Sequence, residues 1–288
     1  MVNFMNAKLI AKTGGGQDGA VFGKLLFRLN HKGDCRVYDM AAIASADGAL
    51  VEPFTSFVLD RADEIVPHSN SVVFGREYYA EGDEFPLLYS NIYNNYAKTD
   101  APMKGVCCVY RLERDGDGFK TTLVQLIEIG FVEDAELWKM SREKDGARPY
   151  GNFVVDVENG KYCAYVMRSE ELGTRYFVFD LPKLQDGEID EKYGVKRVVL
   201  TPNDIEKQFD CPEHHYIQGA CCHAGKVYSV EGFRNNPALR IVDLNKGEQE
   251  LFFNFSDVGV TDEAEFIDFY CGSCYYGDCH GNIYLIEA

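Results

Sequence analysis

The chain has 288 residues, 46% of them hydrophobic, and a formal charge of −17. That charge disfavours nucleic acid and anionic lipid as partners, since both need cations that displace counterions. No apolar run approaches the roughly 20 residues of a membrane helix, and the opening MVNFMNAKLIAK lacks the apolar core of a secretory signal. As it stands the sequence reads as cytoplasmic, or as secreted if a leader has been trimmed.

In chain order, the first strand signal is Phe4 to Gly14 (FMNAKLIAKTG), followed by a motif that returns five times. Each copy has an apolar strand, a Gly-containing turn, a second strand and a third. The copies are QDGAVFGKLLFRLNHKGDCRVYDM from Gln17, HSNSVVFG with FPLLYSN and GVCCVYRL from His68, and YGNFVVDVENGKYCAYVMRSEELGTRYFVFDL from Tyr150. YIQGACCHAGKVYSVEGFRNNPALRIVDL and EAEFIDFYCGSCYYGDCHGNIYLIEA complete the set. Aligned on Gly19, Ser71, Asn152, Gly219 and Phe266, their spacing fits one four-stranded blade plus loops of varying length.

A fourth strand is expected after each of the first four motifs, at Thr55 to Asp60, Thr121 to Gly130, Val195 to Thr201 and Gln249 to Ser256. The last motif has none, and Phe4 to Gly14 supplies the missing strand from the other end of the sequence. That closure leaves no long unpaired edge there. The fold class expected is all-β: a five-bladed β-propeller of four-stranded antiparallel blades, one domain over 1–288.

NHKGD, RDGDG, ENGK and LNKG are hairpin signals. Asp115 to Gly118 resembles the start of a calcium loop but lacks the distal Glu, so a tight turn is expected. Longer connections are expected at Gly82 to Glu84, Tyr93 to Lys104, Val132 to Pro149 and Pro202 to His215, with a helical turn at Glu133 to Met140 carrying Trp138. Most of the ten cysteines sit in or beside strands and read as buried free thiols. Cys271, Cys274, Cys279 and His280 have zinc-like spacing but fall across a hairpin, whose alternating faces point them apart.

In a propeller the innermost strand starts at one face and the second strand returns to it, so residues at both places converge on the channel mouth. Asp18, Asn70, Gly151, Gln218 and Glu265 precede the inner strands, and four of the five bring a side-chain oxygen. Near them stand Gln17, His68, Tyr150, Tyr216 and Glu263, with Arg148, His214 and His215 upstream. The motif alignment sets Asn91, Glu231 and Asp278 level at the end of the second strands. Polar side chains there also serve simply to keep a channel wet.

This ring suggests a small polar ligand, with a carbohydrate favoured because Tyr150 and Tyr216 offer aromatic faces and Asp, Asn and Gln bind hydroxyls. A calcium ion held by Asp18, Asn70, Gln218 and Glu265 is an alternative. Glycoside hydrolysis by a pair such as Asp18 and Glu231 is another, on architecture alone. From a different class comes a protein-interaction scaffold using Tyr93 to Lys104 and Val132 to Pro149. HSNSVVFG with FPLLYSN, and HHYIQGACCHAGKVYSVEGF, resemble an uncharacterised family of gut-bacterial β-propeller proteins. The resemblance covers most of the chain and implies the fold, with no activity attached.

Overall fold

The computed structural model describes residues 5–65, 67–92, 105–131, 152–169, 172–212, 216–232 and 235–287. Blade 1 is β2 (Gly19–Phe22), β3 (Leu25–Leu29), β4 (Asp34–Asp39) and β5 (Thr55–Val58), with the short helices α1 (Met40–Ala44) before β5 and α2 (Ala62–Ile65) after it. Blade 2 is β6 (Pro67–Phe74), β7 (Leu88–Ile92), β8 (Val106–Asp115) and β9 (Gly118–Ile129). Blade 3 takes β10 (Phe153–Asp156), β11 (Lys161–Ser169), β12 (Gly173–Asp180) and β15 (Lys207–Cys211). Blade 4 is β16 (Ile217–His223), β17 (Lys226–Glu231), β18 (Ala238–Asp243) and β19 (Glu248–Asn254). Blade 5 is β20 (Ala264–Tyr270), β21 (Ser273–Asp278) and β22 (Asn282–Glu287), finished by β1 (Asn6–Lys12) antiparallel to β22.

The inner strands β2, β6, β10, β16 and β20 pack side by side in that order, and β20 returns to β2, closing a five-bladed ring. Core sits between blades rather than within them. Along β6, Val72 and Phe74 enter the cluster shared with blade 1, whereas Val73 between them enters the cluster shared with blade 3. Along β10, Phe153 and Val155 face blade 2 and Val154 faces blade 4. Because successive side chains point to opposite faces, a strand sandwiched by two neighbours must be apolar on both. That is why the motifs read as continuous apolar runs instead of alternating ones.

One expected strand lies elsewhere. Val195 to Thr201 does not complete blade 3; its core forms β14 (Lys196–Leu200), which pairs in parallel with β9 at the edge of blade 2 and antiparallel with the two-residue β13 (Glu188–Ile189). The fourth strand of blade 3 is β15, inside the stretch expected to be a connection. Both segments are strand-like, and cross-strand partners separate them. Arg197 reaches Glu128 of β9 at 2.6 Å, whereas Asp210 lies opposite Arg175 of β12 at 2.7 Å and Phe209 stacks on Tyr176 with centroids 5.1 Å apart. The chain therefore leaves blade 3, straps blade 2 and returns.

The turns behave as expected. Asp115 pairs with Gly118 across a tight β8–β9 hairpin, with Gly116 at φ 60. All ten cysteines are free, and among the described residues no three His, Cys, Asp or Glu side chains converge as metal ligands. Gly14 to Gly16 link β1 to β2 without regular structure. Glu133 to Met140, with Trp138, falls outside the described residues, as do Tyr93 to Lys104 and Val132 to Pro149. Among the described residues no helix is long and apolar enough to cross a membrane.

Candidate functional site: the channel mouth

Two of the residues expected at the mouth owe their position to β-bulges. Pairing slips between Ile217 and Gly219 and between Ala264 and Phe266, so Gln218 and Glu265 are each the extra residue of a bulge at the start of an inner strand. An extra residue leaves the ladder and re-aims its side chain. Blade 2 does the same over Pro67 to Val72, with Ser69 in the left-handed region at φ 59. That longer irregularity changes the alignment: Glu231 and Asp278 lie opposite Ile217 and Ala264, but Ile92, not Asn91, lies opposite Pro67. Asn91 stands one residue short of the level expected for it.

The face is built in two tiers. Gln17, His68, Tyr216, Gln218 and Glu263 are half-buried, while Asp18, Asn70, Asn91, Asn152 and Glu265 are buried. On the side of blades 1, 4 and 5 two amide–carboxylate pairs stand together. Gln17 Nε2 donates to Glu265 Oε1 at 3.3 Å, and Gln218 Nε2 donates to Glu263 Oε1 at 2.6 Å. On the side of blades 2 and 3 Asn91 is a junction. Its Nδ2 donates to Asn70 Oδ1 and, at 2.8 Å, to Asn152 Oδ1, and its Oδ1 accepts from Ser71 N at 3.2 Å. Ser71 Oγ meets the Tyr165 phenol at 3.2 Å, which ties blade 2 to blade 3.

Asp18 lies deeper than expected. Its Oδ2 accepts from Val72 N of blade 2 at 3.1 Å, and the Ala220 amide of blade 4 also bears on the carboxylate, so it staples three blades at the axis. Here β6 and β16 approach each other across the ring. Gly219 permits this: a Cβ there would stand 2.4 Å from the Glu265 carbonyl oxygen and 3.0 Å from Asp18 Oδ1. Burial pushes the Asp18 carboxyl well above the usual range, against the Gly19, Val72 and Ala220 amides. Burial also raises Glu265, reinforced by Glu263. Among the described residues, Asp18 Oδ1, Glu265 Oε2 and Arg28 Nη1 are buried without a hydrogen-bond partner.

Two expected mouth carboxylates turn away from the ligand space. Glu231 is held bidentately by Arg240, whose Nε and Nη2 lie 2.6 and 3.1 Å from its oxygens. Asp278 organises the β21–β22 turn, accepting from His280 N and Asn282 N at 2.9 Å and from Asn282 Nδ2 at 2.7 Å. Asp18 and Glu231 are both 0% exposed, so a hydrolytic acid–base pair has no access to substrate there. Of the four residues expected to ring a calcium ion, Asp18 Oδ2, Asn70 Oδ1 and Glu265 Oε1 each accept a protein hydrogen bond.

His68 is pushed down to about 4 by burial and by His31, whose ring centroid is 6.4 Å away. It is a neutral imidazole near neutral pH. Tyr216 leans on the apolar cluster between blades 3 and 4. Arg148, Tyr150, Gly151, His214 and His215 lie outside the described residues. Sequence reasoning missed Asn152, Arg28 and Arg240. Both arginines interrupt apolar strands, LLFRL and ALRIVD, and a lone cation in such a run signals a buried partner.

The chain matches no protein-family model, and no curated protein matches it in sequence. Solved structures match in shape. Glutaminyl cyclase of Myxococcus xanthus aligns over 100% of this chain and 95% of its own, with a TM-score of 0.51 and 11% identity. A Trichoderma reesei protein of Carbohydrate-Active Enzymes Family AA12 aligns over 99% and 96%, with a TM-score of 0.50 and 11% identity. At such identity the likeness is one of fold: this chain is a five-bladed propeller similar in architecture to those enzymes.

Proposed function

We propose that the chain is a binding propeller whose channel mouth takes a small, polar, hydroxyl-rich ligand of carbohydrate type. The observation that carries this reading is the pair of half-buried contacts Gln17–Glu265 and Gln218–Glu263, set side by side by the two bulges. Each couples a donor-and-acceptor amide to an acceptor carboxylate, which is what a vicinal diol needs. Beneath them Asn91 joins Asn70 and Asn152 in a buried amide network. The neutral His68 adds no charge for such a ligand to meet. The enzymes of like fold include one named for carbohydrate activity, which agrees with the reading without carrying it.

The test is a thermal-melt screen with neutral mono- and disaccharides, followed by calorimetry on Gln218→Ala and Glu263→Ala. A sugar at about a hundred times its Kd stabilises the native state by roughly 2.7 kcal/mol. Each variant is expected to lose about tenfold in affinity, the worth of one hydrogen bond, with its melting temperature nearly unchanged. A flat screen, or variants that bind like the parent, would sink the proposal.

A further inference from the structure

At the end of blade 2 remote from the mouth, the connection from β6 to β7 faces the chain that straps blade 2. A cleft of about 790 Å³ opens between them. Tyr78 and Tyr79 line it at 45% and 46% exposure, unusual for adjacent aromatic residues. We infer that this cleft is a second carbohydrate site, a surface that holds polysaccharide chains by stacking sugar rings on the two tyrosines.

The platform is rigid before any ligand arrives. Arg111 lies over the Tyr79 ring, 4.9 Å from its centroid, and is itself clamped by Asp83 through Nε at 3.1 Å and Nη2 at 2.7 Å. One face of Tyr79 is thus covered and fixed while the residue stays nearly half exposed. The opposite wall is fixed too: Leu184 N donates to Glu77 Oε2 at 2.9 Å, and Lys196 Nζ donates to the Gly187 carbonyl at 2.8 Å. A pre-set cleft loses little entropy on binding.

Its chemistry selects a neutral polyol. The exposed Gln185 and Thr122 side chains and both tyrosine phenols make no hydrogen bond among the described residues, so donors and acceptors stand free beside the aromatic faces. An apolar occupant would cover Ile189, 59% exposed, yet would strip water from these polar groups and return no hydrogen bond. A sugar ring offers C–H groups to the tyrosines and hydroxyls to Gln185 and Thr122. Glu77 and Lys196, the charged residues of the lining, balance, so no ionic ligand is favoured.

Native affinity electrophoresis in gels carrying xylan, mixed-linkage β-glucan, galactomannan, arabinogalactan or dextran tests this with the whole chain. At least one polysaccharide is expected to retard the protein. Tyr79→Ala should weaken that retardation at least fivefold and Gln185→Ala at least twofold, with circular dichroism and melting temperature held. Tyr79→Phe, which keeps the ring, should retain it. Free migration in every gel overturns the inference, as does retardation that survives both alanine variants. If Gln218→Ala abolishes retardation while Tyr79→Ala does not, the polysaccharide sits at the channel mouth and the cleft proposal falls alone.

Discussion

Glu231 in blade 4 and Glu265 in blade 5 reach the same face at nearly the same depth, 0% and 4% exposed. Arg240 grips the first with two hydrogen bonds, and Gln249 in turn accepts from Arg240. Among the described residues the second has one amide donor, Gln17, and an oxygen without a partner. Glu231 is therefore solvated by the protein and belongs to the fold. Glu265, with Asp18 and Glu263 near it, keeps unmet capacity at the place where a ligand is proposed to enter. Burial alone does not separate a structural carboxylate from one available for binding; its partners do.

Three perturbations sharpen that contrast. Arg240→Ala should have the largest effect, since it strands the Glu231 charge in the interior at a cost of about 3–5 kcal/mol, read as a shifted urea midpoint. A loss below about 1 kcal/mol would mean that water reaches the pair and that the two carboxylates are alike.

Gly219→Ala comes next. Its Cβ would press on the Glu265 carbonyl and the Asp18 carboxylate, both of them part of the packed axis. Such overpacking costs about 1–3 kcal/mol. An unchanged unfolding midpoint would show that the inner strands at the axis move apart easily.

The smallest effect is that of pH. Asp268, which accepts from Val21 N at 2.7 Å and joins blade 5 to blade 1, is pushed up to about 6 by burial. Asp18 and Glu265 are raised as well. A carboxyl raised in the folded state holds its proton more tightly there than in the unfolded chain. Its stabilisation is full below the unfolded value near 3.9 and is lost as pH rises through about 6. Moving from pH 7.5 to 5 should therefore stabilise the protein by about 1 kcal/mol from Asp268 alone, roughly 2 °C of melting temperature. Below about pH 4 the trend reverses, because Asp83 and Glu84, held low by Arg111 and Arg114, lose their ion pairs. A melting temperature that falls between pH 7.5 and 5 would contradict the burial of these carboxyls.

The five-fold repeat of apolar strands and Gly turns was enough to read the blade number, the inner-strand positions and the closure by β1. Each depends on local pattern, because a strand packed on both faces must be apolar throughout and a tight hairpin needs a left-handed residue such as Gly116. The convergence of Gln17, Asn70, Gln218, Glu263 and Glu265 on one face was legible for the same reason, as repeat position fixes height along the axis.

Tertiary structure alone decided the rest. VKRVVLT and KQFDC have equal claim to the outer edge of blade 3, and only Glu128 and Arg175, distant in sequence, send one to blade 2 and the other to blade 3. Asp18 looks like any polar residue before an inner strand, yet the close approach of β6 to β16 makes it an axial staple. Glu231 and Asp278 align with the mouth, but Arg240 and the β21–β22 turn claim their oxygens. Sequence period sets where a side chain emerges; which partner it meets depends on chain brought together from elsewhere, and that partner determines whether a buried polar group serves stability or binding.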